Sequence, residues 1–287
     1  KNIEKFIKDF KIKKQFVDFV GVSGQTILHD PKNKISIQLG SCKKINKKLK
    51  IKFIWNFRNN DIKNGGQGAP IGAFYHDYIL RKILKKSAII NIGGISNISY
   101  LNNNNLNAYD LGPGNCIIDD LMLNKNNKKF DNKGDVARTG KLNIKIIEKF
   151  NNDKFFKLNN PKSLDRNYFN KYFLKLIKLN KKDSLHTGSE MTILAILKEL
   201  KKLNNKVNNI ILTGGGRKNK YIVSEIKKRL KKNNIKLMLI DEFNFNGDFL
   251  ESQAFGYIAV RSYLGLPIST PSTTGVKKPL SGGKLFK

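Results

Sequence analysis

Three apolar runs in this sequence each stop at a glycine-rich turn, and that pattern narrows the possible folds more than any other feature. The turns are Asn91-Ile92-Gly93-Gly94-Ile95-Ser96-Asn97, Asp110-Leu111-Gly112-Pro113-Gly114-Asn115 and Thr213-Gly214-Gly215-Gly216. Glycine lets backbone N–H groups approach a phosphate or a flat base with no Cβ between them. A helix that starts just after such a turn adds the positive end of its dipole. Each turn alone could be an ordinary strand-to-helix connection, but three in one chain strain that explanation. None continues into Gly-Lys-Ser/Thr, so none is a P-loop, and none is a Gly-x-Gly-x-x-Gly dinucleotide fingerprint.

Around the turns, strands and helices interleave, which places the chain in the α/β class. Ile3, Phe6, Ile7 and Phe10 recur at helical spacing. Short apolar runs at 16–22, 35–39 and 51–57 read as strands. A loop at Gly65-Gly66-Gln67-Gly68-Ala69-Pro70 leads into a helix over about 71–84. The pattern then restarts with a strand at 88–92 and two more near 98–101 and 107–111, a plausible meander. Helices are expected near 115–123, 144–150, 168–177, 191–203 and 249–264, a strand at 209–213 running into a helix, and a strand at 236–240. The lysine- and asparagine-rich tracts at 43–50 and 124–129 and the tail from Pro267 read as loops. The best boundary is Lys85-Lys86, giving domains 1–86 and 87–287, with the C-terminal helix and tail as candidates to pack back on the first. A chain of 287 residues, 39% hydrophobic, can bury two such cores.

The formal charge of +33 first suggests nucleic acid. The lysines are nevertheless spread through every segment among asparagine and isoleucine, and no base-reading motif accompanies them, so specific nucleic-acid binding is disfavoured. A diffuse positive field still attracts polyanions such as ATP in a salt-dependent way. Cys42 and Cys116 are too few for a disulfide framework and read as small reduced hydrophobes of a cytoplasmic protein. No apolar run approaches a membrane span. His29, His76 and His186 lie far apart without ligand spacing.

The motifs carry a resemblance. Asn91-Ile-Gly-Gly-Ile-Ser-Asn97 resembles the second phosphate motif of the anhydro-N-acetylmuramic acid kinase family, and Asp110 to Asn115 resembles its Asp-Thr-Gly-Pro-Gly-Asn element, with Leu111 in place of threonine. Phe57-Arg58, Asp61-Ile62 and Gly65 to Pro70 match its Phe-Arg-x-x-Asp-Ile…Gly-Gly-Gln-Gly-Ala-Pro segment. Gly24-Gln25-Thr26 matches its Gly-Gln-Thr, with Ser23 where histidine is usual. Pro161-Lys162-Ser163, Arg166, Gly214-Gly215-Gly216, Glu251 to Phe255 and Gly265-Leu266-Pro267 follow in family order. The resemblance implies a two-domain actin-like ATPase (ribonuclease H-like) fold with a central interdomain cleft. It also implies a reaction that opens the 1,6-anhydro bridge with water and phosphorylates the freed 6-oxygen from ATP with Mg²⁺, in cell-wall recycling. The family's opening Gly-x-Met-Ser-Gly-Thr-Ser-x-Asp-Gly loop is absent from this sequence. A first domain truncated at its N-terminus, weak or inactive as a kinase by itself, is the expectation that follows.

Roles follow for individual residues. Asp110, expected to end a strand at a glycine turn, is the candidate general base; as a plain turn residue it would cap local N–H groups instead. Arg58, whose planar fork suits a carboxylate, Gln25 and Glu251 are candidate sugar contacts. Glu251 stands three residues after Asp248, close to a capping box. Gly93, Gly94, Gly112, Gly114, Asn115, Gly214, Gly215 and Gly216 are candidates to cradle ATP. Asp119 is a possible Mg²⁺ ligand, though an aspartate beside Asp120 on a helix also reads as solvated. A homodimer is a candidate assembly. The competing classes are a non-catalytic nucleotide- or sugar-binding remnant and a basic nucleic-acid-associated protein.

Overall fold

The computed structural model describes residues 2–40, 42–203 and 206–286. The side chain of Cys42, read above as a small reduced hydrophobe, lies outside that description. In chain order, helix α1 (Asn2–Asp9) precedes strands β1 (Val20–Val22), β2 (Gln25–Asp30) and β3 (Ile35–Leu39), helix α2 (Cys42–Leu49), strand β4 (Phe53–Trp55) and helices α3 (Asn59–Lys63) and α4 (Ala73–Leu80). The meander follows as β5 (Ser87–Ile92), β6 (Ile95–Asn102) and β7 (Asn105–Pro113). Then come α5 (Cys116–Asn126), α6 (Ile144–Asn151), α7 (Asn170–Leu176), α8 (Lys181–Lys202), β8 (Asn209–Thr213), α9 (Lys220–Lys231), β9 (Lys236–Leu239), α10 (Leu250–Tyr263), α11 (Pro271–Thr274) and β10 (Lys284–Phe286).

The chain divides into two compact units, one of Lys1–Tyr75 with Ser252–Lys287 and the other of His76–Glu251. The second unit is built on a mixed sheet in the order β7-β6-β5-β8-β9. Strand β6 runs antiparallel to both β5 and β7, while β5, β8 and β9 run parallel. Ile90 sits opposite Ile98 and Leu212, all fully buried, because a strand covered on both faces keeps apolar residues at successive positions. One face, carrying Ile90, Ile92, Ile98 and Leu212, packs into a core with Ile117 and Leu121 of α5 and Met191, Ala195 and Ile196 of α8. Burying each isoleucine, leucine or methionine side chain among these contributes roughly 1.5–3 kcal/mol.

Helix α8 begins ten residues before the expected start at 191, because Ser184, Thr187, Ser189 and Thr192 are buried along with its apolar residues. A helix enclosed on most sides shows no amphipathic stripe to read. Between β8 and α9, a single 3₁₀ turn over Gly215–Lys218 replaces the direct entry into a helix, and Asn219 caps α9 by accepting from the Ile222 N–H.

The first unit holds a three-stranded sheet in the order β1-β4-β10 and a separate hairpin of β2 and β3. Its small core is Leu49, Ile51 and Phe53, packed by Ile3, Ile7, Val20, Ile45 and Trp55. The lysine-rich tract at 43–50 therefore belongs to a helix, not a loop, since Ile45 and Leu49 turn inward while its lysines face water. The tail is not a loop throughout either. It forms α11 and then β10, which pairs antiparallel to β4 with Leu285 opposite Ile54. Strand β2 shows no alternation in the sequence because half of its residues are exposed and only His29 is buried, so no continuous buried face imposes it. Among the described residues no helix is long and apolar enough to cross a membrane.

Candidate active site

The three glycine turns of the second unit come together. The Gly114 N–H donates to the Gly94 carbonyl at 2.9 Å and the Asn115 N–H to the Gly93 carbonyl at 2.7 Å, which ties the bend after β7 to the β5–β6 turn. Thr192 of α8 donates to the Gly114 carbonyl at 2.7 Å and fixes the same bend from below the sheet. Asn115 Nδ2 donates to the Ile92 carbonyl at 3.3 Å. The bend after β8 completes the group, since a Cβ on Gly214 would lie 2.3 Å from Asn91 Oδ1 and 2.7 Å from the Ile92 carbonyl oxygen. Gly214 also has φ +75, a conformation that side chains strain to adopt.

The glycines fall into two groups. Gly114, Gly214 and Gly216 are demanded by the chain itself: a Cβ would meet Gly93 O at 2.2 Å, Asn91 Oδ1 at 2.3 Å and Ile92 Cγ2 at 2.2 Å respectively. Gly112 belongs with them, having φ +152 and facing Ala195 Cβ at 2.6 Å. Gly93, Gly94 and Gly215 are different, because a Cβ there would make only ordinary contacts at 3.4, 3.9 and 3.7 Å. Neither packing nor backbone conformation requires glycine at these three positions.

Behind the turns, register lines up Asp110 of β7 with Asn97 of β6, Asn97 with Asn91 of β5, and Asn91 with Thr213 of β8. Residues paired across strands share a face, so these four form a polar row on the face opposite the α5–α8 core. Thr213 Oγ1 donates to Asn91 Oδ1 at 3.4 Å within it. The sequence signal for this row was Asn91 standing alone in an otherwise apolar strand.

Asp110 does not end its strand, because β7 runs on to Pro113 over a bulge opposite Ser96 and Asn97. It is 5% exposed, and its Oδ2 accepts the Leu164 N–H at 2.8 Å while its own N–H donates to the Lys162 carbonyl at 2.9 Å. The Pro161-Lys162-Ser163 segment is thus laid along the outer edge of β7.

Asp119, expected to be solvated, is half-buried in the first turn of α5. Burial, and next the neighbouring Asp120, push its carboxyl up to about 6 against the pull of Arg166. Asp120 itself pairs with Arg166 at 2.7 Å. Burial likewise pushes the Cys116 thiol up to about 11, which leaves it an inert core residue.

Arg217, which the sequence reading passed over, secures the last glycine turn. Its guanidinium donates to the Gly214 carbonyl at 3.0 Å, to Asp241 at 2.7 and 3.2 Å, and to Asp248 at 2.9 Å. Asp248, expected to cap α10 together with Glu251, instead gives its carboxylate to Arg217 and Lys218. Glu251 is exposed in the first turn of α10.

In the first unit, Arg58 Nη1 donates to the Gly68 carbonyl at 2.6 Å. Asp61, 2% exposed, accepts the Gly68 N–H and the Thr274 hydroxyl, each at 2.5 Å. The Gly65–Pro70 loop is therefore held by two residues of the Phe-Arg-x-x-Asp-Ile motif. Gln25 is exposed on β2.

A profile of the anhydro-N-acetylmuramic acid kinase family matches residues 1–287. This chain belongs to that family. It is 42% identical to the anhydro-N-acetylmuramic acid kinase of Pelagibacter ubique over 282 residues, 94% of this chain and 74% of that protein. It is 34% identical to the enzyme of that name from Brucella canis over 286 residues, 98% of this chain and 76% of the relative. The corresponding protein of Rhodopseudomonas palustris is 35% identical over 285 residues, 98% of this chain and 77% of the relative. By family the chain is an ATP-dependent sugar kinase.

Proposed function

We propose that this protein opens the 1,6-anhydro bridge of anhydro-N-acetylmuramic acid with water and transfers the γ-phosphoryl group of ATP to the freed 6-oxygen, giving N-acetylmuramic acid 6-phosphate in the cytoplasm. The observation that carries this reading is the convergence of three glycine turns at one end of the β5–β8 sheet, beside a row of polar side chains that ends in the buried Asp110. Gly93, Gly94 and Gly215 are spared a side chain although the chain could accommodate one, and a phosphate or nucleotide lying against their backbone accounts for that. Gly112, Gly114, Asn115, Gly214 and Gly216 shape the same cradle.

The sheet order, with one antiparallel strand among parallel neighbours, supports a ribonuclease H-like unit of the actin-like class. Asp110 is the proposed general base. Its Oδ2 is engaged by the Leu164 amide, which orients the carboxylate to take a proton from water attacking the anomeric carbon. The oxygen released at position 6 then meets the terminal phosphoryl group. Arg58, Gln25 and Glu251 are the proposed sugar contacts, with Arg58 suited to the lactyl carboxylate.

Among the described residues no three His, Cys, Asp or Glu side chains form a ready cage for a metal ion. Mg²⁺ in kinases is held by one or two carboxylates and the substrate phosphates, and half-buried Asp119 fits that limited role. When bound, Mg²⁺ would neutralise charge on the phosphates.

Mass spectrometry of the anhydro sugar incubated with ATP, Mg²⁺ and protein tests the reading. Wild type should give the 6-phosphate carrying one oxygen from labelled water. Asp110→Asn should lose at least about 100-fold in turnover while still binding ATP in a calorimeter. Undiminished turnover by Asp110→Asn would refute the assignment of the base.

A further inference from the structure

A buried charge cluster lies directly behind Asp110, and the reaction outlined above makes no use of it. Lys162 is 3% exposed, and its Nζ donates to Glu199 Oε1 of α8 at 2.8 Å. It also sits 4.4 Å from the centre of the Phe155 ring and donates to the Phe155 carbonyl at 3.4 Å. Glu199 is fully buried. Its Oε1 takes a second ammonium, that of Lys202, at 2.9 Å, while its Oε2 has no hydrogen-bond partner in the protein. Charge is costly to bury, so a lysine held this way needs a reason.

The main chain of the same lysine suggests one. The Lys162 carbonyl accepts the Asp110 N–H, and two residues on the Leu164 N–H donates to Asp110 Oδ2. Both the backbone and the carboxylate of Asp110 thus rest on the segment 162–164. That segment lies outside the named strands and helices. The Lys162 side chain fastens it to α8, the same helix whose Thr192 holds the Gly114 carbonyl. The base and the glycine bend therefore take their positions from one rigid element.

We propose that Lys162 and Glu199 are positioning residues, which set the orientation of the Asp110 carboxylate by locking segment 162–164 onto α8. This rests on Asp110 being the base. Buried and paired with each other, the two act only through that carboxylate. Loss of the pair should therefore lower kcat and leave KM for ATP in place.

The test compares Lys162→Met, which keeps the apolar stem, and Glu199→Gln, which keeps the shape, with wild type and Asp110→Asn. Turnover is read by mass spectrometry and amide exchange by the same instrument. Both substitutions should cut kcat by about tenfold to a hundredfold, as small misplacements of a reacting group do, with KM for ATP within about twofold of wild type. The Leu164 amide should exchange faster in both, while the amides of β5 and β8 stay protected.

Normal kcat in both variants, or unchanged Leu164 exchange beside a lowered kcat, overturns the positioning role and leaves Asp110 untouched. Full activity of Asp110→Asn instead overturns the base assignment. If Lys162→Met loses protection across the whole sheet it has failed to fold, and Glu199→Gln then decides by the same two readouts.

Discussion

Two titratable residues of the second unit, one buried and one half-buried, pull its stability in opposite directions with pH. His76 of α4 is enclosed and bonded to Ser99 at 2.9 Å, and burial lowers its pKa from 6.5 to about 4. The unfolded chain takes up that proton below about 6.5 and the folded one does not, so this contribution to stability falls as pH drops from 6.5 towards 4. Asp119 behaves inversely. Folded, it holds its proton up to about 6, and unfolded it releases it near 3.8, so its contribution falls as pH rises from about 4 to 6. Between these limits the two slopes oppose each other. In Mg²⁺-free buffer, Asp119→Asn should therefore melt progressively lower as pH falls from 6.5 to 4. His76→Gln should melt higher over the same span. One whole proton corresponds to about 1.4 kcal/mol per pH unit, and the Asp119 effect will be smaller because the group is partly screened by solvent. Melting curves that keep the same pH slope as wild type in both variants would contradict this balance.

At the level of elements, the turns separate structural glycines from those left over. Gly214→Ala forces a Cβ into a left-handed conformation and against the Ile92 carbonyl, and should cost at least about 1–2 kcal/mol of stability. Gly93→Ala and Gly215→Ala meet no obstacle and should stay within about 1 kcal/mol of wild type. If the cradle receives ATP, these same two changes should weaken its binding about tenfold or more, equivalent to about 1.4 kcal/mol. Thermal melts with nucleotide calorimetry separate the two effects, and unchanged ATP affinity in both would remove these turns from the nucleotide site. The turns could be read from sequence because glycine itself marks them, whatever distant atoms demand it, as could strands such as β5 and β8, whose runs are mostly apolar. Other features depended on distant partners. The extra residues at the start of α8 look largely polar in sequence, and Ser184, Thr187 and Ser189 among them become buried only in the packed molecule. The lysines and the asparagine of α2 concealed Ile45 and Leu49, which acquire a role only against Phe53. The role of Lys162 was equally hidden, because one lysine among so many gives no sign that it is buried against Glu199.

For the molecule as a whole, the consequential feature is that the first unit is discontinuous in sequence and depends on the tail. Strand β10 supplies one of the two neighbours of β4, the middle strand of that sheet. The tail also satisfies Asp61, through the Thr274 hydroxyl, and the Gln67 N–H, through the Thr274 carbonyl at 2.7 Å. Removing residues 267–287 would leave one edge of β4 without its strand and take one of two donors from a carboxylate that is 2% exposed. An unsatisfied buried polar group costs about 1–3 kcal/mol, and several would be created together. The second unit keeps its own sheet, with α5 and α8 packed against it. Hydrogen exchange on the shortened chain should therefore show β1 and β4 losing protection while β5 and β8 keep theirs. Asp61→Ala should reproduce part of that loss by removing both acceptors. Asp61→Asn should do so more mildly, because its remaining oxygen can still take the Gly68 N–H and the Thr274 hydroxyl can turn to accept from the new amide. Equal loss of protection in both units would mean that they unfold as one body, and the tail would then be a support for the entire chain and not for the first unit alone.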